Sequence, residues 1–248
     1  MNDFIAENDR AVLESNGLAS FDALWALRLE AVDEPNTERG GWSSVYRLEL
    51  GETAYYLKRQ SNHLTRSLRH PLGEPTFARE FRNIRRYQQL GIPTLRASFF
   101  GCRRLAGEQR AILLTRALDG WEDLDDWLKR WPQLGEAHRQ AITRAVGELA
   151  RDLHQAGQVH GCFYPKHVFL RELDGRWQAC LIDLEKTRPL LLGRRDRIKD
   201  LEPLVRRARC MGEEGVRGLL AAYLDDQRAV ESWFQRLVQR RKNKEARG

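Results

Sequence analysis

A polar loop behind a long helical pattern carries the clearest chemical signal in the sequence. Residues His160 to His167 read HGCFYPKH and hold two imidazoles, a thiol and an amine, and the apolar run CLIDL that follows ends on Asp183. Loops on a rigid scaffold supply many catalytic residues. An unpaired buried carboxylate is costly, so a cation is expected beside Asp183. The alternative is that Asp183 only caps the turn after its strand.

Weaker signals precede this loop. Two glycines and two hydroxyl side chains lead into a strand pattern, where backbone N–H groups can approach a phosphate; these residues are Gly40, Gly41, Ser43, Ser44 and Val45. Taken alone, this pattern is more typical of a plain turn. Lys58 lies in the aromatic run TAYYLKR, and Glu80 on the next helical pattern is its candidate partner. Lysines in strands also reach solvent, and helix acids are usually hydrated.

The elements that must position these residues change along the chain. VYRLEL and TAYYLKR predict a hairpin, EPTFAREFRNIRRYQQL a helix, and RASFFGCRR and RAILLTRAL two further strands. Helical patterns dominate beyond residue 120, with one hairpin of KHVFLREL and WQACLIDL between them. The prediction is an α+β, bilobal fold with a small β-rich N-lobe containing one helix and a larger helical C-lobe. Its parts are an N-terminal helical extension (1–38), a nucleotide-binding N-lobe (39–117) and a C-lobe with a basic C-terminal helix (118–248).

The order of these signals is that of the protein-kinase fold: glycine-rich hairpin, strand lysine, helix glutamate, histidine-led loop, hairpin and aspartate. Within that fold the sequence resembles the bacterial lipopolysaccharide kinases of the Kdo/WaaP type, with their InaA-like members. The resemblance covers about residues 35 to 210 and rests on GGWSSVYRLELGETAYYLKRQ, AREFRNIRRYQQLGIP, LHQAGQVHGCFYPKHVFLREL, CLIDLEKTR and RIKDLEPL. It implies ATP-dependent phosphorylation of a heptose or Kdo sugar of the lipopolysaccharide inner core, at the cytoplasmic face of the inner membrane.

The resemblance also implies a role for each matching residue. Gly40 to Val45 would cover the ATP phosphates, and Lys58, paired with Glu80, would hold the α- and β-phosphates. Asp183 would bind Mg²⁺ with His167, which stands where an asparagine is usual, and Asp200 would brace the catalytic loop. The segment facing adenine would contain Leu114, Arg116 and Ala117.

One departure from the kinase pattern concerns the general base. The loop reads His160-Gly161-Cys162, so a thiol stands where an aspartate is expected. A thiolate of lowered pKa beside Lys166 would partly replace that base, whereas a buried neutral thiol would not. The predicted catalytic residues are therefore Cys162, Asp183, Lys166 and His160.

Composition limits the class of protein. The 248 residues carry 42 Lys and Arg against 35 Asp and Glu, a net charge of +7, and 42% are hydrophobic. The first twenty residues lack the apolar core of a signal peptide, and no apolar run reaches the 18 residues of a membrane span. Four dispersed cysteines without a CxxC pair favour a reducing compartment over disulfides or a zinc site. We expect a cytoplasmic protein.

The basic residues bear on the partners. Clusters near residues 79–86, 194–199 and 236–247, with an amphipathic final helix containing Trp233 and Phe234, predict contact with anionic glycolipid at the inner-membrane surface. A pseudokinase is the alternative, because Cys162 replaces the base. A small-molecule kinase for cationic substrates is disfavoured by the positive charge, and a nucleic-acid binder by the lack of a recognition motif.

Overall fold

The computed structural model describes residues 3–37, 40–66 and 70–246, except for the side chain of Glu245. Contacts divide the chain into two units, one of Met1–Arg86 with Leu95–Asp119 and one of Tyr87–Thr94 with Gly120–Gly248. None of the described helices has the length and apolar character needed to cross a membrane.

The first unit is built on a five-stranded antiparallel sheet. Its elements in chain order are β1 (Phe4–Ile5), α1 (Glu7–Ser15), α2 (Phe21–Ala26), β2 (Trp42–Leu50), β3 (Thr53–Ser61), β4 (Leu64–Thr65), β5 (Glu74–Pro75), α3 (Thr76–Gln89), β6 (Ala97–Leu105) and β7 (Glu108–Arg116). The strand order in the sheet is β1-β6-β7-β3-β2, and β4 pairs with β5 separately. The last residues of α3 belong to the second unit.

The side-chain alternation of β3 decides which residues face α3. Tyr55 and Leu57 are fully buried in a core cluster that also contains Leu13 of α1 and Phe21 of α2. Successive side chains of a strand point to opposite faces, so Lys58 lies on the other face of the sheet. The predicted β2–β3 hairpin is confirmed, with its turn at residues 51 and 52.

The second unit is mainly helical. Its elements are β8 (Glu122–Asp123), α4 (Leu124–Lys129), α5 (Glu136–Gln155), β9 (Gln158–Val159), β10 (Val168–Leu173), β11 (Arg176–Leu181), β12 (Arg188–Pro189), α6 (Arg194–Arg207), α7 (Gly212–Tyr223) and α8 (Val230–Glu245). The strands form a three-stranded sheet in the order β11-β10-β8 and a β12–β9 pair. In α5, a Cβ on Gly147 would lie 2.5 Å from the Leu219 carbonyl oxygen, so glycine permits the close packing of α5 on α7.

These elements confirm the predicted kinase-like α+β fold, with a β-rich N-terminal part and a mainly helical C-terminal part. The expectation that Trp233 and Phe234 meet lipid is wrong. Both side chains of α8 point into the second unit and are about 95% buried, at 6% and 4% exposure. Trp233 packs edge-on against Tyr223, with ring centroids 5.4 Å apart, and the Arg217 guanidinium covers Phe234 at 3.9 Å.

Candidate active site

An ion pair joins β3 to α3. The Lys58 Nζ lies 2.6 Å from Oε1 of Glu80, and their side chains are only 18% and 3% exposed. The ammonium also lies 5.9 Å from the centre of the Phe77 ring. The partner predicted for Lys58 is therefore the one that the structure shows. Separating the two charges of such a nearly buried pair would leave each of them unpaired, which is strongly destabilising. The pair is therefore held in one geometry.

The glycine pair lies where the chain reverses into β2. Asn36 pairs antiparallel with Ser43, so the reversal lies between these two residues. Gly40 has a φ of 74°, in the left-handed region that favours glycine. A Cβ on Gly41 would lie 2.2 Å from the carbonyl oxygen of Ser61. The backbone at both positions therefore depends on the absence of a side chain.

The other residues of the GGWSSV motif are more committed to the sheet. The Ser43 N–H donates to the Asn36 carbonyl at 2.8 Å, and the Val45 carbonyl accepts from the N–H of Val32 at 2.8 Å. The Ser44 hydroxyl is buried and has no hydrogen-bond partner among the described residues. The Ser43 N–H is therefore already used within the sheet.

The segment predicted to face adenine forms the end of β7. Leu114 is fully buried in the core of the first unit. The N–H groups of Arg116 and Ala117 donate to the carbonyls of Arg96 and Ala54, each at 2.9 Å. The Arg116 guanidinium pairs with a carboxylate of α1 at 2.7 Å. Both N–H groups are already hydrogen-bonded within the fold, so neither can donate a hydrogen bond to adenine.

In the second unit, a carboxylate of α6 holds the head of the catalytic-type loop. Asp200 is buried and accepts the N–H groups of His160 at 2.8 Å and Gly161 at 2.7 Å. The His154 Nε2 donates to it at 3.1 Å, and Tyr223 donates its hydroxyl to the His154 Nδ1 at 2.8 Å. Burial raises the pKa of Asp200, but these hydrogen bonds outweigh it, so the net shift is downward. The predicted bracing role of Asp200 matches this geometry.

His160 is a buried, neutral imidazole. Its Nε2 lies 2.9 Å from the Ile182 carbonyl oxygen, which only accepts, so this nitrogen carries the proton. Its Nδ1 accepts the N–H of Cys162 at 3.3 Å. Complete burial lowers the pKa of His160. Nε2 therefore ties the loop to the residue after β11, Nδ1 holds the turn of the loop itself, and neither nitrogen is free.

Cys162 does not have the environment of an activated thiol. Its side chain is buried, and burial raises its pKa, although Lys186 lowers it and donates a hydrogen bond to it. Lys166 is exposed and lies in the 3₁₀ turn of residues 165–167. The hypothesis of a thiolate beside Lys166 is therefore wrong in two respects: the neighbouring cation is Lys186, and the thiol is neutral at physiological pH.

His167 and Asp183 form a pair of potential metal ligands. The His167 Nδ1 lies 2.8 Å from the Cys162 carbonyl oxygen and must donate to it, so Nε2 bears the lone pair when the ring is neutral. That Nε2 lies 3.3 Å from Oδ2 of Asp183, and burial lowers the pKa of His167. Asp183 adopts a left-handed backbone (φ 57°) and is half-exposed. Two lone pairs thus face each other, and a cation between them would satisfy both.

The donors of this pair fit a divalent metal only in part. No cluster of three or more His, Cys, Asp or Glu side chains that could hold a metal exists in the described parts of the chain. A metal at His167 and Asp183 would therefore take its other ligands from nucleotide phosphates and water. Mg²⁺ commonly keeps several waters and phosphate ligands, but it prefers oxygen to an imidazole nitrogen.

Three residues of this cluster are not among those predicted from the sequence. They are Lys186, which contacts the thiol of Cys162, and His154 and Tyr223, which extend the hydrogen bonds of Asp200. His154 and Tyr223 lie 69 positions apart, and no local motif links them. Only Lys186 carried a local signal, because it follows Asp183 closely in CLIDLEK.

Comparisons with known proteins agree with this geometry. The model of the lipopolysaccharide kinase (Kdo/WaaP) family matches residues 22–223. Protein InaA of Escherichia coli (strain K12) is 34% identical over 180 residues, which cover 71% of this chain and 82% of InaA. A solved structure of WaaP in complex with acyl carrier protein is similar over 97% of this chain and 99% of the WaaP chain, with a TM-score of 0.69 and 23% identity.

The matched family and the fold make this chain a phosphotransferase of the protein-kinase-like fold. Within that class the chain belongs to the lipopolysaccharide kinase (Kdo/WaaP) family, which acts on the lipopolysaccharide core with a nucleotide as phosphate donor. The family predicted from the motifs is confirmed.

Proposed function

We propose that this protein is an active, ATP-dependent kinase for a heptose or Kdo sugar of the lipopolysaccharide inner core. The Lys58–Glu80 pair carries the proposal. Kinases of this fold position the α- and β-phosphates with a strand lysine that a helix glutamate holds in place. Here that pair has formed at 2.6 Å, with Glu80 almost fully buried. Burying an ion pair costs desolvation free energy, and a pair that served only the surface would gain little stability in return.

The other residues take complementary roles in the proposed reaction. Lys58 holds the α- and β-phosphates, and the backbone at Gly40 and Gly41 covers the phosphate chain. Asp183 and His167 would hold Mg²⁺, which neutralises the charge of the transferring phosphoryl group. Asp200 keeps the loop of His160 in place without touching substrate. Except for Asp200 and His160, these residues would contact the phosphate donor or its metal ion.

Cys162 sets the expected rate. A neutral thiol does not take the proton of the acceptor hydroxyl. Phosphoryl transfer passes through a loose transition state, so positioning and charge neutralisation supply most of the catalysis. General-base assistance contributes about 10²–10⁴-fold. The proposed enzyme is therefore slow but active, and the proton leaves to solvent or to the transferred phosphoryl group.

The test measures transfer of the γ-phosphate from MgATP to deacylated core oligosaccharide. We expect measurable transfer by the wild-type protein and none by Asp183→Ala, because the substitution removes the carboxylate of the metal pair. Oligosaccharides that end at Kdo or extend to heptose identify the acceptor sugar. Wild-type turnover no higher than that of Asp183→Ala on both acceptors would rule out the kinase.

A regulatory pseudokinase is the second candidate, and the buried neutral thiol of Cys162 favours it. Such a protein would bind ATP without turnover. Saturable MgATP binding by calorimetry, together with no transfer to either acceptor, would support this candidate against the first.

The proposed substrate places the protein beside a membrane. Lipopolysaccharide core sugars are attached to a lipid, so a kinase for them would work as a peripheral protein at the cytoplasmic face of the inner membrane. The positive net charge of +7 favours contact with anionic lipid.

A further inference from the structure

The loop between β12 and α6 exposes two adjacent leucines. Leu191 is 75% exposed and Leu192 is 58% exposed. Single exposed apolar residues are normal on protein surfaces. Over the described ranges, however, this is the only place where two large exposed hydrophobic residues are neighbours in the sequence. Both side chains therefore expose apolar surface to water, and an apolar binding partner would cover that surface.

The conformation that exposes these leucines is fixed by a buried carboxylate. The N–H groups of Leu191 and Leu192 both donate to Oδ2 of Asp196, each at 3.0 Å. Asp196 is itself held by the Arg188 guanidinium through two bonds of 2.9 and 3.0 Å. Arg188 holds the pKa of Asp196 well below its usual range, so the carboxylate stays charged. The leucines are therefore presented by a rigid backbone, and little ordering is needed when they bind.

Arginines without acidic partners surround the loop. Arg194 and Arg195 follow it directly and are exposed. The Arg194 guanidinium donates to the Ser232 hydroxyl of α8 at 2.8 Å and lies 4.9 Å from the Trp233 ring, which places it beside α8. Arg236 follows Ser232 by one turn of α8 and so lies on the same side of that helix, and burial and the charge of Arg236 lower the pKa of Arg194.

The acids near this patch are already occupied. Glu231 pairs with Arg217 at 3.0 Å, and Asp196 pairs with Arg188. In the part of the chain that the structure describes, no ion pair involves Arg194, Arg195 or Arg236. The patch therefore combines uncompensated positive charge with exposed hydrocarbon.

We propose that Leu191 and Leu192, with Arg194, Arg195 and Arg236, dock the protein onto the surface of an anionic phospholipid bilayer. The guanidinium groups bind lipid phosphates, and the leucines enter the interfacial hydrocarbon. A nucleic acid would satisfy the arginines but offers no apolar phase to the leucines. The biological meaning rests on the proposed function, since a lipid-linked substrate lies at such a surface.

The test is co-sedimentation with vesicles of phosphatidylcholine alone, or of phosphatidylcholine with about one third phosphatidylglycerol. We expect binding only to the anionic vesicles. The double variant Leu191→Ser/Leu192→Ser should weaken it at least about tenfold. Its control is Leu72→Ser, which removes a leucine that is 89% exposed elsewhere and should bind as wild type.

A second arm removes charge. The triple variant Arg194→Gln/Arg195→Gln/Arg236→Gln should lose binding by at least about tenfold. The control replaces three exposed arginines outside the patch with glutamine: Arg86, Arg104 and Arg176. Equal losses in both triple variants would mean that only net charge matters, and would overturn the proposal.

Two further results would also contradict the proposal. One is unchanged vesicle binding by the double leucine variant. The other is a stable dimer, seen by analytical ultracentrifugation, that the double leucine variant converts to monomer, since a second copy would then cover the leucines. Lys58→Met separates this proposal from the kinase function, because it should lose nucleotide binding and keep vesicle binding.

Discussion

At the scale of single residues, the thiol of Cys162 stands where kinases of this fold carry a carboxylate. The structure gives that position a cationic neighbour, Lys186, and a nearby acid, Asp183. Lys186 would stabilise the charge of a carboxylate introduced there, and Asp183 would disfavour it. The effect of a carboxylate at this position therefore depends on the balance between Lys186 and Asp183.

We expect Cys162→Asp to raise kcat by about 10²-fold or more, because it restores general-base assistance. Cys162→Ser, which keeps the size but adds no base, should leave kcat near the wild-type value. The measurement is steady-state transfer to deacylated core oligosaccharide. A rate for Cys162→Asp at or below that of wild type would show that the thiol has a role of its own.

In the proposed site, His167 would offer nitrogen to the metal where kinases usually offer an amide oxygen. We expect His167→Asn to lower severalfold the Mg²⁺ concentration needed for thermal stabilisation by ATP, because Mg²⁺ prefers oxygen donors. Wild type should in turn be saturated by less Mn²⁺ than Mg²⁺. Metal titrations of the melting temperature at fixed ATP test both statements. An unchanged Mg²⁺ requirement in His167→Asn would argue against His167 as a ligand.

At the scale of elements, two contacts hold the residues of the proposed site. α3 packs on one face of β3 and brings Glu80 to Lys58, and α6 places Asp200 under the head of the loop. In both cases a buried carboxylate of a helix holds groups that belong to another part of the chain. These contacts resist change because a buried charge without its partner is strongly destabilising.

Removing the lysine of the first contact tests nucleotide binding. Lys58→Met should abolish the rise in melting temperature that MgATP gives the wild-type protein, since the phosphates lose their cation. The matched control is Lys129→Met, which removes an exposed surface lysine paired with Asp126. A full MgATP shift in Lys58→Met would show that Lys58 does not bind the phosphates.

The second contact predicts a pH dependence. The pKa of Asp200 is lowered in the folded protein, so its ionised form stabilises the fold at neutral pH. That contribution falls as the pH drops below the unfolded pKa and through the folded one. Asp200→Asn should lose about 1–3 kcal/mol at pH 7, because its amide N–H₂ faces donors, and should show a weaker loss of stability in acid.

Denaturant unfolding at several pH values measures the effect of Asp200→Asn. Asp174→Asn is the control, because Asp174 lies in the exposed β10–β11 turn with a positive φ that asparagine also tolerates. Equal acid sensitivity of wild type and Asp200→Asn would mean that other carboxylates cause the loss.

At the scale of the whole molecule, charge is distributed unevenly. Several arginines are consumed in ion pairs, such as Arg188 with Asp196 and Arg217 with Glu231. Others, such as Arg194 and Arg236, form no ion pair with another described residue and contribute to the net charge of +7. Long-range attraction to an anionic surface follows from such a distribution.

Vesicle binding should accordingly depend on salt. Raising NaCl from about 0.1 M to about 0.5 M shortens the screening length well below its value of roughly 10 Å. We expect affinity for anionic vesicles to fall at least about tenfold, while phosphatidylcholine vesicles stay unbound at both concentrations. Salt-independent binding would show that the arginines do not contribute.

The sequence by itself determined the order of the elements, the family and the Lys58–Glu80 partnership. The elements depend on near neighbours along the chain, whereas the order of the motifs indicates the Lys58–Glu80 pair, whose members are 22 positions apart. The alternation of β3 and the periodicity of α3 fix which side chains face one another, and those patterns are local. The helical spacing of Ile142, Val146, Leu149 and Leu153 likewise indicates one apolar face, and the structure buries all four in α5.

Only the tertiary structure decided the surroundings of these residues. It placed Lys186 rather than Lys166 beside Cys162, used the N–H groups of Arg116 and Ala117 within the fold, and turned Trp233 inward. An amphipathic pattern reports that one face is apolar, not whether protein or lipid covers it. Partners that lie tens of residues apart meet because of packing, and packing depends on the whole chain at once.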